Sequence, residues 1–150
     1  MIIPVRNEEE KITQCLEAVF SQSLEAREVI VVDGHSSDRT VERAREFPVK
    51  VVYEDYGTVG GARQVGVLSA ESEIVAFTDA DCIPEKNWLE DVVKEFDEGI
   101  VGVGCGIKNI GEGLWEKSIN LVAGTFLGSA NSVQGRFFKD NSTKEYLEGY

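Results

Sequence analysis

Short runs of consecutive apolar residues alternate along the chain with segments in which apolar residues recur every three or four positions. The continuous runs predict five strands, at residues 1–5, 29–32, 49–53, 73–78 and 100–103. The periodic segments between them predict helices that begin near residues 8, 39, 62 and 84. Continuous apolar runs are typical of strands buried on both faces. The alternation therefore predicts an α/β fold with a mostly parallel central sheet flanked by helices.

Local sequence signals place the starts of two helices. Asn7 is predicted to be the N-cap of the first helix, because three glutamates follow it where the helix dipole favours acids. Pro84 is predicted to open the helix that carries Trp88 and Leu89. The apolar residues 114–130 are interpreted as a further helix on the sheet, with a membrane-touching surface as the alternative.

Composition narrows the classes of protein that the chain can represent. Its 150 residues suit one compact domain, and a net charge of −12 argues against nucleic-acid binding, which needs clustered lysine and arginine. No apolar run is long enough to span a membrane, and no signal peptide is visible. Three widely spaced cysteines without a CxxC pair predict free thiols that pack as small hydrophobic groups, and a reducing, cytoplasmic location.

Polar residues follow three of the predicted strands directly. The clusters are Arg6-Asn7-Glu8, Asp33-Gly34-His35 and Asp79-Ala80-Asp81. Because parallel strands end at the same edge of a sheet, where open α/β sheets bind ligands, we expect the three clusters to form one site. His35 has no adjacent nucleophile and is interpreted as a loop residue.

The aspartates of these clusters carry the most specific chemistry. Asp79 and Asp81 offer hard oxygen ligands, which Mg²⁺ or Mn²⁺ takes while it also holds substrate phosphates. A pair of surface aspartates in a loop is the alternative. Asp33 is interpreted as an acceptor for the N–H of a base. Its alternative role is to cap the following helix, in competition with Ser36 or Asp38.

A glycine-rich turn precedes the third helix. Backbone amides at Gly60 and Gly61 can meet a phosphate group there, and Arg63 can pair with it bidentately. An ordinary turn beside a solvated arginine is the equal alternative. No GxGxxG pattern follows the first strand, which argues against a dinucleotide-dependent oxidoreductase.

Four segments, in this order, resemble the family 2 glycosyltransferases. Residues 2–10 look like the opening of these enzymes, and residues 31–40 like their second strand and turn. Residues 60–66 are similar to their glycine-alanine-arginine-asparagine segment, and residues 77–81 to their DxD region. The resemblance implies the GT-A fold in a single domain, 1–150, that is expected to be truncated. Its nucleotide-binding part would be about 1–104 and a partial acceptor-side region about 105–150.

The resemblance also implies an activity, the metal-dependent transfer of a hexosyl group with inversion at the sugar carbon. The donor would be UDP- or GDP-linked, and the acceptor a lipid phosphate or a polysaccharide, so the enzyme can lie peripherally at the inner face of the membrane. Asp33 would bind the base, and Asp81 would ligate Mg²⁺ or Mn²⁺, with Asp79 near the ribose or the metal. The implied nucleotide-sugar-binding residues are Pro4, Arg6, Glu8, Asp33, Arg63, Asp79, Ala80 and Asp81.

The chain departs from the family pattern at several positions. Arg6 stands where many members carry tyrosine, and Gln64 replaces the usual asparagine. The general base that should take the proton from the acceptor hydroxyl has no clear counterpart. Asp140, Glu145 and Glu148 qualify for this catalytic role only because they are acidic and lie downstream.

Two other functions stay open on the sequence alone. The first is a non-catalytic or incomplete fragment that binds nucleotide sugars without transferring them. The second is a phosphohydrolase of the haloacid dehalogenase type, which also carries DxD after an apolar strand and uses the first aspartate as nucleophile. Ile83 stands where that class usually has threonine or valine.

Overall fold

The computed structural model describes residues 1–106 and the backbone of residues 146–148. The chain divides into two compact units, Met1–Asp91 and Val92–Tyr150. The strands are β1 (Ile2–Val5), β2 (Ile30–Asp33), β3 (Lys50–Tyr53), β4 (Ile100–Val103) and β5 (Tyr146–Glu148). The helices are α1 (Ile12–Phe20), α2 (Thr40–Ala44), α3 (Val59–Ser69) and α4 (Trp88–Lys94).

The first unit contains a parallel sheet in the order β1-β2-β3. Val5, the last residue of β1, lies opposite Asp33, and Asp33 lies opposite Tyr53 at the end of β3. The three strands therefore end level with one another, and the loops that follow them leave the same edge of the sheet. This arrangement confirms the predicted α/β fold with a parallel sheet.

The predicted strand at residues 73–78 is reduced to one bridge. Phe77 pairs in parallel with Ile2, on the side of β1 that faces away from β2. The Ile2 amide donates to the Ala76 carbonyl (2.8 Å), and the Thr78 amide donates to the Ile2 carbonyl (3.2 Å). Asp79 comes two residues after this bridge. Residues 79–81 therefore extend from the same edge of the sheet as the loops that follow β1 and β2.

The core confirms the predicted burial of the strand at residues 29–32, and β1 is buried as well, whereas β3 is exposed at both of its ends. Ile30, Val31 and Val32 are all fully buried, although successive side chains of a strand point to opposite faces. Helix α3 packs on the sheet, with Gly66 in close contact with Ile2. The predicted apolar face of α1 is also buried, through its residues Ile12, Cys15, Leu16 and Val19.

Two predicted helix starts are wrong. Helix α1 begins at Ile12 rather than next to Asn7, and its first turn contains no acidic residue. Helix α4 begins at Trp88 rather than at Pro84. The amide of Leu89 donates to the side-chain oxygen of Gln22 (3.0 Å), so a residue distant in sequence satisfies the start of this helix.

The strand predicted at residues 100–103 forms, but it does not join the parallel sheet. It is β4, which pairs antiparallel with β5 in a separate two-stranded sheet of the second unit. Its partner lies more than 40 residues downstream, in a polar region that carries no apolar strand pattern. The apolar residues 114–130 lie outside the described residues.

Candidate nucleotide and metal site

Two loops at the sheet edge are joined to each other by hydrogen bonds. We call residues 6–9 and 34–40 the paired loops. The Asn7 amide donates to the Ser36 hydroxyl (2.9 Å), and the Ser37 amide donates to the Asn7 side-chain oxygen (2.8 Å). Asn7 adopts a left-handed backbone (φ 54°), which asparagine tolerates better than most residues. Its side chain therefore joins the two loops and does not cap α1, which explains why the N-cap prediction is wrong.

A second set of contacts joins the paired loops at the start of α2. The Glu8 amide donates to the hydroxyl of Thr40, a fully buried side chain (2.8 Å), and the Glu9 amide donates to Asp38 (3.2 Å). The Thr40 hydroxyl in turn donates to Asp38. Hydrogen bonds from Thr40 and from nearby backbone amides lower the pKa of Asp38. The loops are therefore fixed by backbone and side-chain groups together.

Asp33 lies at the centre of this arrangement and is only 1% exposed. One carboxylate oxygen accepts from the Ser36 amide (3.0 Å), and the other accepts from the Ser36 hydroxyl. The N-cap position of α2 is Arg39, which makes no side-chain cap bond, and Asp38 rather than Asp33 accepts from the amide of Thr40, the first residue of the helix. A carboxylate has about four acceptor positions, so Asp33 retains acceptor capacity beyond its two bonds to Ser36.

Glu54, which follows β3 at the same edge, was not among the predicted site residues. Its side chain is 4% exposed and accepts from the amides of Tyr56 (2.7 Å) and Gly57 (3.0 Å). A Cβ atom at Gly34 would lie 3.1 Å from Oε1 of Glu54 and 3.5 Å from Cδ of Arg6. The absence of a side chain at Gly34 therefore lets these two side chains pack close to its backbone. The signal was present in the sequence, since Glu54 directly follows a predicted strand as the other clusters do.

The remaining residues of the first two clusters occupy different surroundings. Pro4 is buried within β1, Arg6 is exposed, and Glu8 is partly buried. His35 lies in the loop after β2, as predicted, with a left-handed backbone (φ 57°). Its Nε2 atom lies 2.7 Å from a carboxylate oxygen of Asp55.

The glycine-rich turn leads into α3, which begins three residues before the predicted start at Ala62. The Thr58 hydroxyl accepts from the Gly61 amide (3.0 Å) and so caps the helix. Gly61 packs against Tyr56, where a side chain would come within 2.5 Å. A cavity of about 310 Å³ opens beside this turn, lined by Tyr56, Thr58, Gly60, Gly61 and Gln64.

Arg63, on the first turns of α3, faces the residues that follow the Phe77 bridge. Its guanidinium donates to a carboxylate oxygen of Asp79 (3.0 Å) and lies 5.9 Å from the centroid of the Phe77 ring. The side chains of Arg63 and Asp79 are 44% and 51% exposed. The structure therefore brings together two residues that the sequence placed in different motifs.

We call Asp79–Cys82 the acidic segment. Asp79, Asp81 and Cys82 each offer one ligand atom, and these atoms lie within 4.8 Å of one another. The Cys82 amide closes a turn onto the Asp79 carbonyl (3.0 Å), which keeps the three side chains together. Two carboxylates in this arrangement fit a divalent cation that prefers oxygen ligands. Ala80 is buried, so it anchors the segment between the two exposed aspartates.

The prediction that all three cysteines pack as small hydrophobic groups holds only for Cys15. This residue is 1% exposed, and its thiol donates to the Asp79 carbonyl (3.5 Å). Burial is the main reason why the pKa of Cys15 is raised to about 12. Cys82 is only partly buried beside Asp81, and Cys105 is exposed. Cys82 directly follows Asp81 in the sequence, and this adjacency is the signal that could have placed its thiol with the aspartates.

Comparison with known proteins decides the family. The model of the family described as Glycosyl transferase family 2 matches residues 1–147. The chain belongs to glycosyl transferase family 2. The glycosyltransferase AglE of Haloferax volcanii is 42% identical to it over 99 residues, which cover 60% of this chain and 32% of AglE. The chain thus spans about a third of the length of this family 2 relative.

Solved structures confirm the GT-A fold that the resemblance implied. Staphylococcus aureus TarS 1–349 in complex with UDP-GlcNAc matches with a TM-score of 0.62 and 30% identity, over 75% of this chain and 36% of that chain. The mannosyltransferase PcManGT of Pyrobaculum calidifontis, in complex with GDP-Man and Mn²⁺, matches with a TM-score of 0.61 and 29% identity. That match covers 72% of this chain and 34% of the other. Family 2 membership favours a glycosyltransferase over a haloacid-dehalogenase-type phosphohydrolase.

Other predictions for this family 2 chain lie outside the described residues. Asp140 and Glu145, the candidate general bases, fall there, while Glu148 is described only as part of the backbone of β5. Among the described residues, no helix is both long and apolar enough to cross a membrane.

Proposed function

We propose that the chain carries the donor-binding part of a metal-dependent, inverting glycosyltransferase that uses a UDP- or GDP-linked hexose. One observation supports this proposal above the others. The acidic segment, Arg63 and the buried Asp33 all belong to the edge at which the parallel strands end. The related TarS and PcManGT structures hold UDP-GlcNAc and GDP-Man, respectively.

The base of the nucleotide would bind at the paired loops. Asp33 has unused acceptor positions for a base N–H, and the bonds from Ser36 fix the orientation of its carboxylate. Pro4, Arg6 and Glu8 come from β1 and the loop that follows it, and they would line the nucleotide pocket. In this part of the site the protein supplies shape and hydrogen bonds that exist before the nucleotide arrives.

The diphosphate would bind between α3 and the acidic segment. Asp81 would hold Mg²⁺ or Mn²⁺, with Asp79 near the same ion or the ribose, and buried Ala80 would fix the backbone between them. When bound, the metal supplies Lewis-acid neutralisation of the charge that develops on the departing nucleotide diphosphate. Arg63 can donate bidentate hydrogen bonds to phosphate oxygens from the same side.

Transfer also requires an acceptor and a base. A carboxylate would take the proton from the acceptor hydroxyl as that oxygen displaces the nucleotide diphosphate, which inverts the sugar carbon. Asp140 and Glu145 are the proposed candidates, and the proposed acceptor is a lipid phosphate or a polysaccharide at the cytoplasmic face of a membrane. Because the chain spans about a third of its relative AglE, the alternative is donor binding without transfer.

Calorimetry with UDP, GDP and dTDP and their sugars, each with and without Mg²⁺ or Mn²⁺, tests the proposal. We expect metal-dependent binding of a UDP or GDP compound. Asp81→Asn should weaken it by about tenfold or more, since loss of one charged ligand leaves the cation poorly held. Glu73→Gln is the matched control, because Glu73 is an exposed acid before the Phe77 bridge. Folded protein that binds no nucleotide diphosphate with either metal would contradict the proposal.

A further inference from the structure

Arg63 is the only basic group shown in contact with the acidic segment within the described part of the chain. Its guanidinium donates to Asp79 at 3.0 Å, and Asp79 also contributes a ligand atom to the group that includes Asp81 and Cys82. The Phe77 ring lies 5.9 Å from the same guanidinium and supports it from a second direction. The arginine therefore supplies a positive charge beside the carboxylates proposed to hold a divalent cation.

The ion pair between Arg63 and Asp79 can be broken at little cost in free energy. Both side chains are about half exposed, at 44% and 51%, and exposed ion pairs contribute little net stability. The neighbouring positions Gly60 and Gly61 have no side chains that would confine the arginine. A nucleotide diphosphate offers oxygen atoms that match the donor geometry of a guanidinium at least as well as one carboxylate oxygen does.

We propose that Arg63 is an exchangeable counter-charge for Asp79. In the protein without nucleotide, the guanidinium neutralises Asp79 and weakens the binding of a divalent cation by itself. When the nucleotide diphosphate binds, Arg63 transfers to its phosphate oxygens and leaves Asp79 available to the cation. Nucleotide and cation thereby bind cooperatively, and each raises the affinity for the other by the same factor. This inference rests on the proposed function, and it adds a reason why the cation should bind poorly alone.

The test measures Mn²⁺ binding to the full chain without nucleotide, by the loss of the free-ion electron paramagnetic resonance signal. Arg63→Gln should bind Mn²⁺ about two- to fivefold more tightly than the wild type, the range expected for removing an exposed ion pair that competes for the site. Arg27→Gln is the matched control, because Arg27 is also exposed but precedes β2, at the opposite end of that strand from the proposed site. Both variants lose one positive charge, so the control measures the effect of the change in net charge without the loss of a contact to Asp79.

Two further measurements separate this role from a structural one. Arg63→Gln should weaken UDP or GDP binding while it tightens Mn²⁺ binding, whereas general damage to the site would weaken both. Arg63→Lys keeps the charge and should leave the affinity for Mn²⁺ alone near the wild-type value. Circular dichroism confirms that each variant is folded.

The outcomes distinguish this inference from the proposed function. The inference is overturned if Arg63→Gln binds Mn²⁺ no more tightly than Arg27→Gln does, while the wild type still binds nucleotide with metal. If the folded wild type binds no nucleotide diphosphate with either metal, the proposed function itself fails.

Discussion

The paired loops and the acidic segment leave the same edge of the sheet but are held in different ways. In the paired loops, backbone amides bond to side chains of the other loop, and Thr40 is almost completely buried, as is Asp33 at the end of β2 beside them. In the acidic segment, the two aspartates are exposed, and Asp79 contacts the neighbouring helix through its exposed ion pair with Arg63. One side of the proposed site is therefore formed in advance, while the other is left free to adjust to a cation and a phosphate.

This difference matches the chemistry that each side would handle. Recognition of a base depends on fixed donor and acceptor positions, because a buried polar group left without its partner costs about 1–3 kcal/mol. A cation and a diphosphate bring large charges of their own, so side chains that remain hydrated until binding avoid the cost of burying unpaired charges.

The largest expected effect tests the rigidity of the paired loops. Thr40→Val keeps the shape of the buried side chain but removes the hydroxyl that accepts from the Glu8 amide and donates to Asp38. We expect the free energy of unfolding in urea to fall by about 1–3 kcal/mol, because the Glu8 amide loses its partner. Ser21→Ala, which removes an exposed hydroxyl bonded to the Ala18 carbonyl, is the control. An equal loss in both variants would show that the loops are not specially fixed.

A smaller effect is expected in the acidic segment. Asp79→Asn removes the charge that pairs with Arg63, but both side chains are about half exposed. The free energy of unfolding should therefore change by less than about 1 kcal/mol, in the same urea experiment. A loss as large as that of Thr40→Val would remove the contrast between the two regions.

The smallest effect is a dependence on pH in the paired loops. The pKa of Asp38 is lowered in the folded protein, chiefly by the hydrogen bond from the Thr40 hydroxyl. Its carboxylate therefore contributes stability above its ordinary pKa of 3.8, and this contribution is lost as the pH falls through the lower folded value. Asp38→Asn lacks this titration, so its difference in thermal midpoint from the wild type should shrink below about pH 4. A difference that is constant from pH 7 to pH 3 would argue against the assignment.

The sequence predicted the parts of the fold that depend on local pattern. The β-branched run at residues 29–32 is apolar on both faces, and it forms a strand fully buried on both. The start of α1 could not be predicted in the same way, because Asn7 bonds to Ser37, 30 residues away. Similarly, β4 was recognised as a strand, but its partner β5 lies in a polar region whose pattern carries no strand signal.

The site shows the same division between local and distant information. The convergence of the strand ends followed from the parallel order of the strands, which the alternation with helices indicates. The contact between Arg63 and Asp79 depends on how α3 packs on the sheet. The spacing of the two motifs in the sequence does not determine that packing, so the contact could not be predicted. The predicted ligands of the nucleotide and the metal, Asp33 and Asp81 among them, stay predictions until binding is measured.

Gly66 determines how closely α3 can pack against β1. A Cβ atom there would lie 2.4 Å from a methyl group of Ile2, whereas real Cβ atoms essentially never approach closer than 3.0 Å. Any larger residue must therefore push the helix outward by at least about 0.6 Å, unless Ile2 gives way. Arg63 lies three residues earlier on that helix, so such a displacement would also move the backbone from which its side chain extends to Asp79. The absence of a side chain at Gly66 thus lets α3 lie close to β1, and it thereby helps to place the backbone that carries an arginine at the surface.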